Sequence, residues 1–140
     1  MLVRELTTRR YTTAPKPIRG PEDVVAIPAI RRLTKAKREH FVVLLLNARH
    51  ECEEIHTISV GSLNASIVHP REVFKPAILA SAASIVLVHD HPSGDPEPSE
   101  EDLTITKRLV EVGELMGIGV LDHVIVARRG LVSFRARQLL

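Results

Sequence analysis

The sequence predicts one α/β or α+β domain in which helices flank a mixed β-sheet, and three observations carry that expectation. Its 140 residues are 44% hydrophobic and 26% charged, enough for one packed core and too few for two full-sized domains. Short runs of aliphatic and β-branched residues at 41–46, 51–60, 84–89, 120–127 and 131–135 have strand length rather than helix length. Between them lie two longer segments, 70–81 and 99–117, with apolar residues at three- and four-residue spacing, so strands and helices are interspersed along the chain.

Taken in order, residues 1–20 show no sustained apolar period and read as a basic N-terminal arm or an added strand, leaving 21–140 as the folded domain. Pro21, followed by Glu22 and Asp23, suits the first turn of a helix. Pro28 breaks that helix before 30–37 resume it. The unbroken run Phe41-Val42-Val43-Leu44-Leu45-Leu46 ends at Asn47-Ala48-Arg49 and predicts a buried central strand. Residues 51–60 supply its hairpin partner, with a lapse in alternation at Glu53-Glu54 and a stop at Gly61-Ser62. Val73, Phe74, Ala77, Ile78 and Leu79 space a helix over 70–81, which is expected to restart at Pro76. Residues 84–89 form the next strand. Ser99 is an N-cap with Asp102 at the third helical position, and Leu103, Ile105, Leu109, Val110, Val112 and Met116 line a face that stops at Gly117. The last two strands flank an Arg128-Arg129-Gly130 turn, and no internal repeat or low-complexity tract interrupts the pattern.

Composition excludes several function classes. The longest stretch free of charge and proline, 77–88, contains Ser81 and Ser84 and falls well short of the ~20 apolar residues that span a bilayer. Charges at Arg4 and Glu5 stand where a signal peptide needs its apolar core, so a cytoplasmic protein without a membrane role is expected. A single cysteine, Cys52, allows neither an internal disulfide nor a Cys-rich zinc cluster and reads as a small buried hydrophobe. Aromatic content of 3%, with no Trp, counts against a platform for stacking nucleobases. The net charge of +2 is unevenly spread: residues 1–40 carry ten Lys/Arg against four Asp/Glu, the remainder nine against thirteen. Any DNA contact is therefore expected to be weak, non-specific and carried by Arg4, Arg9, Arg10, Lys16 and Arg19 of the arm. Neither the composition nor the pattern speaks to oligomeric state.

The chemically informative stretch runs from Val88 to Asp102: Val-His-Asp-His-Pro-Ser-Gly-Asp-Pro-Glu-Pro-Ser-Glu-Glu-Asp. His89 and His91, two apart at the carboxyl end of a strand, point to one face and can reach one ion. A turn rich in Pro and Gly reverses the chain, and Asp102 in the first turn of the next helix offers a third ligand. Three protein ligands leave one tetrahedral position for water, the pattern of a catalytic rather than a structural zinc site. Ser99 could place a hydroxyl or a backbone N–H toward a developing oxyanion, a role that competes with capping. Hydrolysis also needs a base, for which Glu39, Glu51, Glu53, Glu54 and Glu72 are candidates.

The order His-x-His-Pro, six residues, Ser, two residues, Asp resembles the JAMM metalloprotease motif of the MPN fold. The wording His-Pro-Ser-Gly-Asp-Pro-x-Pro-Ser resembles its bacterial RadC-like branch most closely. The likeness continues through 61–74, 109–115 and Leu121-Asp122-His123, and covers about residues 38–135. It implies an MPN/JAMM-like, cytidine-deaminase-like mixed sheet with flanking helices and one Zn2+ held by His89, His91 and Asp102. It further implies hydrolysis of a peptide or isopeptide bond in a protein or peptide substrate. By the same likeness the base lies just before the first buried strand, which selects Glu39, and Ser99 or its amide serves the oxyanion. Three features depart from the family pattern. Val42 stands where many JAMM proteins have Gly, Asp90 stands where RadC-like chains usually have Asn, and forty residues are too few for the helical DNA-binding-type domain that precedes this fold in familiar RadC-like proteins. A catalytically silent metal-binding MPN scaffold, and a DNA-repair accessory protein or nuclease, are the alternatives. His123, after Asp122 on a late strand, could support a ligand from behind, but a lone His on an apolar strand reads rather as a satisfied core residue and stays outside the expected site.

Overall fold

A computed structural model describes residues 8–10, 16–61 and 68–140. The unbroken apolar run becomes β2 (His40–Leu46), and its position at the middle of a sheet follows from having no polar face to offer water. Its antiparallel neighbours are β3 (Cys52–Val60) and β4 (Ser84–Asp90). Beyond β4 come β5 (Gly119–Ala127), parallel to it, and β6 (Gly130–Ser133), antiparallel to β5. On the far side, β1 (Thr8–Arg10) adds a short edge strand to β3, giving the order β1-β3-β2-β4-β5-β6. Residues 8–10 of the arm thus form an added strand, and Ile18 N–H donates to the His50 carbonyl as the chain enters the domain. Arg4 and residues 62–67 of the family-like stretch lie outside the described residues.

Helices cover both faces. The parallel β4–β5 pair requires a crossover, supplied by α4 (Glu100–Met116), while α3 (Pro70–Leu79) connects β3 to β4. The other face is covered by α1 (Pro21–Val25) and α2 (Pro28–Arg31), which continues as a 3-10 turn, Arg32–Lys35. Period-two alternation sorts the side chains between the layers. Val42, Leu44, Leu46, Val86 and Val88 pack on Val24, Ile27 and Ile30. Phe41, Val43, Leu45, Ile85 and Leu87 pack on Val73, Phe74 and Ala77 of α3 and on Ile105 and Leu109 of α4. The same parity puts Glu39 and His89 on the α3/α4 side and sends His40 and Asp90 to the other.

Three sequence expectations are corrected. The helix over 70–79 runs through Pro76 without restarting. Proline forfeits the bond to the Glu72 carbonyl, but buried Val73, Phe74 and Ala77 hold the turns on either side. On α4 the buried stripe is Asp102, Ile105, Thr106, Leu109 and Gly113, whereas Met116 is exposed. Polar Asp102 and Thr106 belong to that stripe because they meet the histidines of the sheet, which a hydrophobic-face count cannot register. The final strand ends at Ser133 instead of 135, where Phe134 N–H turns to the His123 carbonyl. Among the described residues no helix is long and apolar enough to cross a membrane.

Gly113 offers a test in which two effects oppose each other. Alanine is favoured over glycine inside a helix by ~1 kcal/mol, yet a Cβ here would lie 2.5 Å from the Ile118 carbonyl oxygen. That carbonyl is backbone, in the chain reversed by left-handed Gly117, and overpacking of this kind costs typically ~1–3 kcal/mol. Gly113→Ala is therefore expected to lower the urea midpoint, and a raised midpoint would show that the Ile118 turn yields freely.

Candidate metal centre

The site forms where β4 runs out. His89 is the penultimate residue of the strand, and His91 follows its last residue, with its backbone N–H still donating to the Val126 carbonyl of β5 at 3.0 Å. The next turn is closed by Gly94 N–H on the His91 carbonyl at 3.0 Å. Gly94 has φ +93°, a backbone conformation that calls for glycine, and the Arg128 guanidinium lies close to where a Cβ would be. The loop then brings the Asp95 carbonyl back to His91 Nδ1 at 2.9 Å. A carbonyl only accepts, so His91 carries its proton on Nδ1 and turns the Nε2 lone pair inward.

Ser99 starts α4 with a reciprocal capping box. Its Oγ accepts from Asp102 N–H at 3.1 Å, and its own N–H donates to Asp102 Oδ2 at 2.8 Å. This fixes the Asp102 carboxylate against both histidines, with Oδ1 3.2 Å from His89 Nε2 and Oδ2 3.1 Å from His91 Nε2. The two Nε2 atoms are 2.9 Å apart. Glu39 stands opposite, its Oε1 4.0 Å from each Nε2. Behind the site, His89 Nδ1 lies 2.7 Å from His123 Nε2, and His123 Nδ1 lies 2.5 Å from Thr106 Oγ1. Phe41 stacks on His89 with ring centroids 5.9 Å apart, and Phe134 on His123 at 4.5 Å.

The donor set fits a metal ion. Donors bound tetrahedrally at ~2.0–2.1 Å are separated by roughly 3.3 Å, close to the separations among His89, His91 and Asp102. The His91 lone pair faces a carboxylate that cannot donate, so a cation belongs between them, and without one a proton takes the place. Accordingly burial works against a charged His91, but the Asp102 carboxylate and the Asp95 carbonyl outweigh it and hold its pKa above the ordinary histidine value. Burial also opposes an ionised Asp102, and His89 and His91 overcome it, keeping the carboxyl well below the usual carboxylate range. Glu39, His89 and His91 each offer one ligand atom within 4.8 Å of the others.

The structure thus brings Glu39, His89, His91 and Asp102 together and leaves Ser99 exposed on the rim. Of the two Ser99 donors considered for an oxyanion, the amide is engaged by Asp102, and the hydroxyl proton remains. Glu51 instead accepts from Asn47 Nδ2, and Glu54 pairs with His56. His69 caps α3 through Nδ1. Sequence reasoning left three neighbours out of the site. His123, weighed from the sequence as a group behind a ligand and left outside the site, touches His89; its signals were its place on a strand after the helix bearing Asp102 and its inclusion in the family-like stretch. Thr106 lies one turn beyond Asp102 on the same stripe. Asp90 points away from the site, but its Oδ1 accepts from His40 N–H at 2.6 Å and so pins the backbone next to Glu39. Burial pushes the Asp90 carboxyl up.

A mixed sheet with a helical crossover, ending in two histidines, a helix-capping aspartate and an opposed glutamate, defines a JAB-type domain. The RadC-like JAB domain profile matches residues 18–139, and the chain belongs to that family. It is 57% identical over 120 residues to a UPF0758 protein of Caldanaerobacter subterraneus subsp. tengcongensis, covering 86% of this chain and 51% of that one. A UPF0758 protein of Rubrobacter xylanophilus is 52% identical over 140 residues, covering 99% and 60%. A third, from Methanosarcina acetivorans, is 47% identical over 136 residues, covering 95% and 59%. The chain spans about half the length of the curated relatives it matches.

His89→Ala, His91→Ala and Asp102→Ala are each expected to lose metal on dialysis against a weak chelator, read by elemental analysis, while Glu39→Gln keeps it. Metal must displace the His91 proton, whose pKa is raised, so competition persists above the ordinary histidine value. Affinity should fall with decreasing pH by roughly tenfold per unit for each proton displaced. A flat pH profile in a chelator competition would remove His91 from the ligand set.

Proposed function

We propose that this domain is a zinc-dependent hydrolase, a metallopeptidase or isopeptidase acting on an amide bond of a protein or peptide. The observation that carries this reading is the unequal placing of two carboxylates. Asp102 lies 3.1–3.2 Å from the two Nε2 atoms, as a ligand would, while Glu39 lies 4.0 Å from both. That difference leaves Glu39 within reach of a water molecule between itself and the histidines, the position of a general base. Zinc, when bound, supplies a Lewis acid that lowers the pKa of water and polarises a carbonyl.

The protein side of the reaction follows from the residues. Glu39 Oε1 takes the proton of the attacking water and returns it to the leaving nitrogen. Its side chain is 25% exposed, so the carboxylate meets both the buried histidines and an incoming chain. Ser99, on the rim, keeps its hydroxyl proton for the oxygen that gains charge. His89 and Phe41, both at 0% exposure, close the inner wall against bulk water. Asp102 is held by the cap of α4 and does not need to reorganise. Family membership supports the reading at the level of the JAB fold.

Glu39→Gln keeps size and hydrogen bonding and removes the basic lone pair. Once screening of peptide and isopeptide libraries provides a substrate, this variant should bind zinc, fold normally and lose ~10²- to 10⁴-fold in kcat. Glu53→Gln, Glu54→Gln and Glu72→Gln should stay near wild type. Full activity in Glu39→Gln would assign the base elsewhere, and wild-type protein that binds zinc but cleaves no member of either library would support a silent scaffold.

A further inference from the structure

Behind the site, Thr106 and His123 form a chain of contacts whose proton order is dictated by what each atom can do. Thr106 Oγ1 lies 2.7 Å from the carbonyl oxygen of Asp102 and 2.5 Å from His123 Nδ1. A carbonyl cannot donate, so the single hydroxyl proton lies on the line to Asp102, and Oγ1 can only accept from His123. His123 therefore carries its proton on Nδ1. The ring is fully buried between Phe41 and Phe134, and in the neutral imidazole that carries its proton on Nδ1 the other nitrogen, Nε2, is a bare acceptor. His89 Nδ1, 2.7 Å away, must then donate to it, which strips the proton from His89 Nε2.

We propose that Thr106 and His123 are positioning residues that set the tautomer of His89, so that its Nε2 faces Asp102 and His91 as a lone pair before any metal arrives. The inference rests on the metal-centre reading above. The chain begins and ends on one residue: the Asp102 carbonyl orders Thr106, and the Asp102 carboxylate meets the His89 lone pair that results. Partners of this kind, which fix a ligand imidazole, are generally worth ~10- to 100-fold in metal affinity. Thr106→Val keeps the shape and removes the acceptor. The His123 proton is then expected to move to Nε2, forcing the His89 proton onto its own Nε2, where it blocks the ligand position. Thr106→Ser keeps the hydroxyl.

The test is nitrogen-15 NMR of the imidazole rings in metal-free protein at alkaline pH, combined with zinc affinity by chelator competition. In wild type, His123 and His89 should both be protonated on Nδ1 and bare on Nε2. Protonated Nε2 on either ring overturns the proposal. Thr106→Val should reverse both tautomers and weaken zinc binding ~10- to 100-fold, with Thr106→Ser restoring wild-type behaviour on both readouts. A folded Thr106→Val with unchanged tautomers or unchanged affinity also overturns it. If that variant does not fold, the wild-type tautomers decide alone. Wild-type protein that binds no zinc would instead remove the metal-centre reading, an outcome separable from a wrong tautomer.

Discussion

Two imidazole nitrogens 2.9 Å apart, with a carboxylate against both of them, make an arrangement that repels itself unless a positive charge sits inside it. The rest of the domain is built to hold that arrangement. The ladder between β4 and β5 extends one residue past the strand to hold His91, a glycine turn and the Asp95 carbonyl orient its ring, and the cap of α4 aims Asp102. None of these devices involves a long flexible side chain. The converging groups therefore lose little conformational freedom when they meet, which keeps the entropic cost of assembling them low.

Sheet alternation divides the tasks between the two faces. His89 and Glu39 share the face under α3 and α4, while Asp90 and His40, one residue along on each strand, share the other. The contact between Asp90 and the His40 amide lies behind the sheet and still controls the site, because it fixes the strand entry from which Glu39 projects. A departure from the family pattern at position 90 thus falls at a position that touches the Glu39 strand entry through backbone rather than through His89, His91 or Asp102. Val42, another of the three departures, packs into the α1/α2 core and leaves the face bearing Glu39 unchanged.

Much of this was legible in the sequence, for physical reasons that also mark the limit. The run at 41–46 has no polar position to expose, so a central strand was its only economical place. The spacing of His89 and His91 is the period of a strand, and Ser99 with Asp102 is a capping box whatever else it does. Relations between residues distant in sequence were not legible. His123 looks like a core histidine until β5 is placed beside β4, and Thr106 looks like a tolerated helix residue until that histidine is packed against it. Local propensity alone predicts a restart of the helix at Pro76, whereas burial of its neighbours carries the helix through.

With no Trp and a single Tyr, Tyr11, the chain has little near-ultraviolet absorbance, and only three Phe supply its remaining aromatic rings. Two of those three lie face to face with His89 and His123. Ring currents from Phe41 and Phe134 fall directly on the imidazole protons and displace their resonances from those of the other histidines. The scarcity that leaves this protein almost invisible to fluorescence concentrates its magnetic signature at the one place where the chemistry is set.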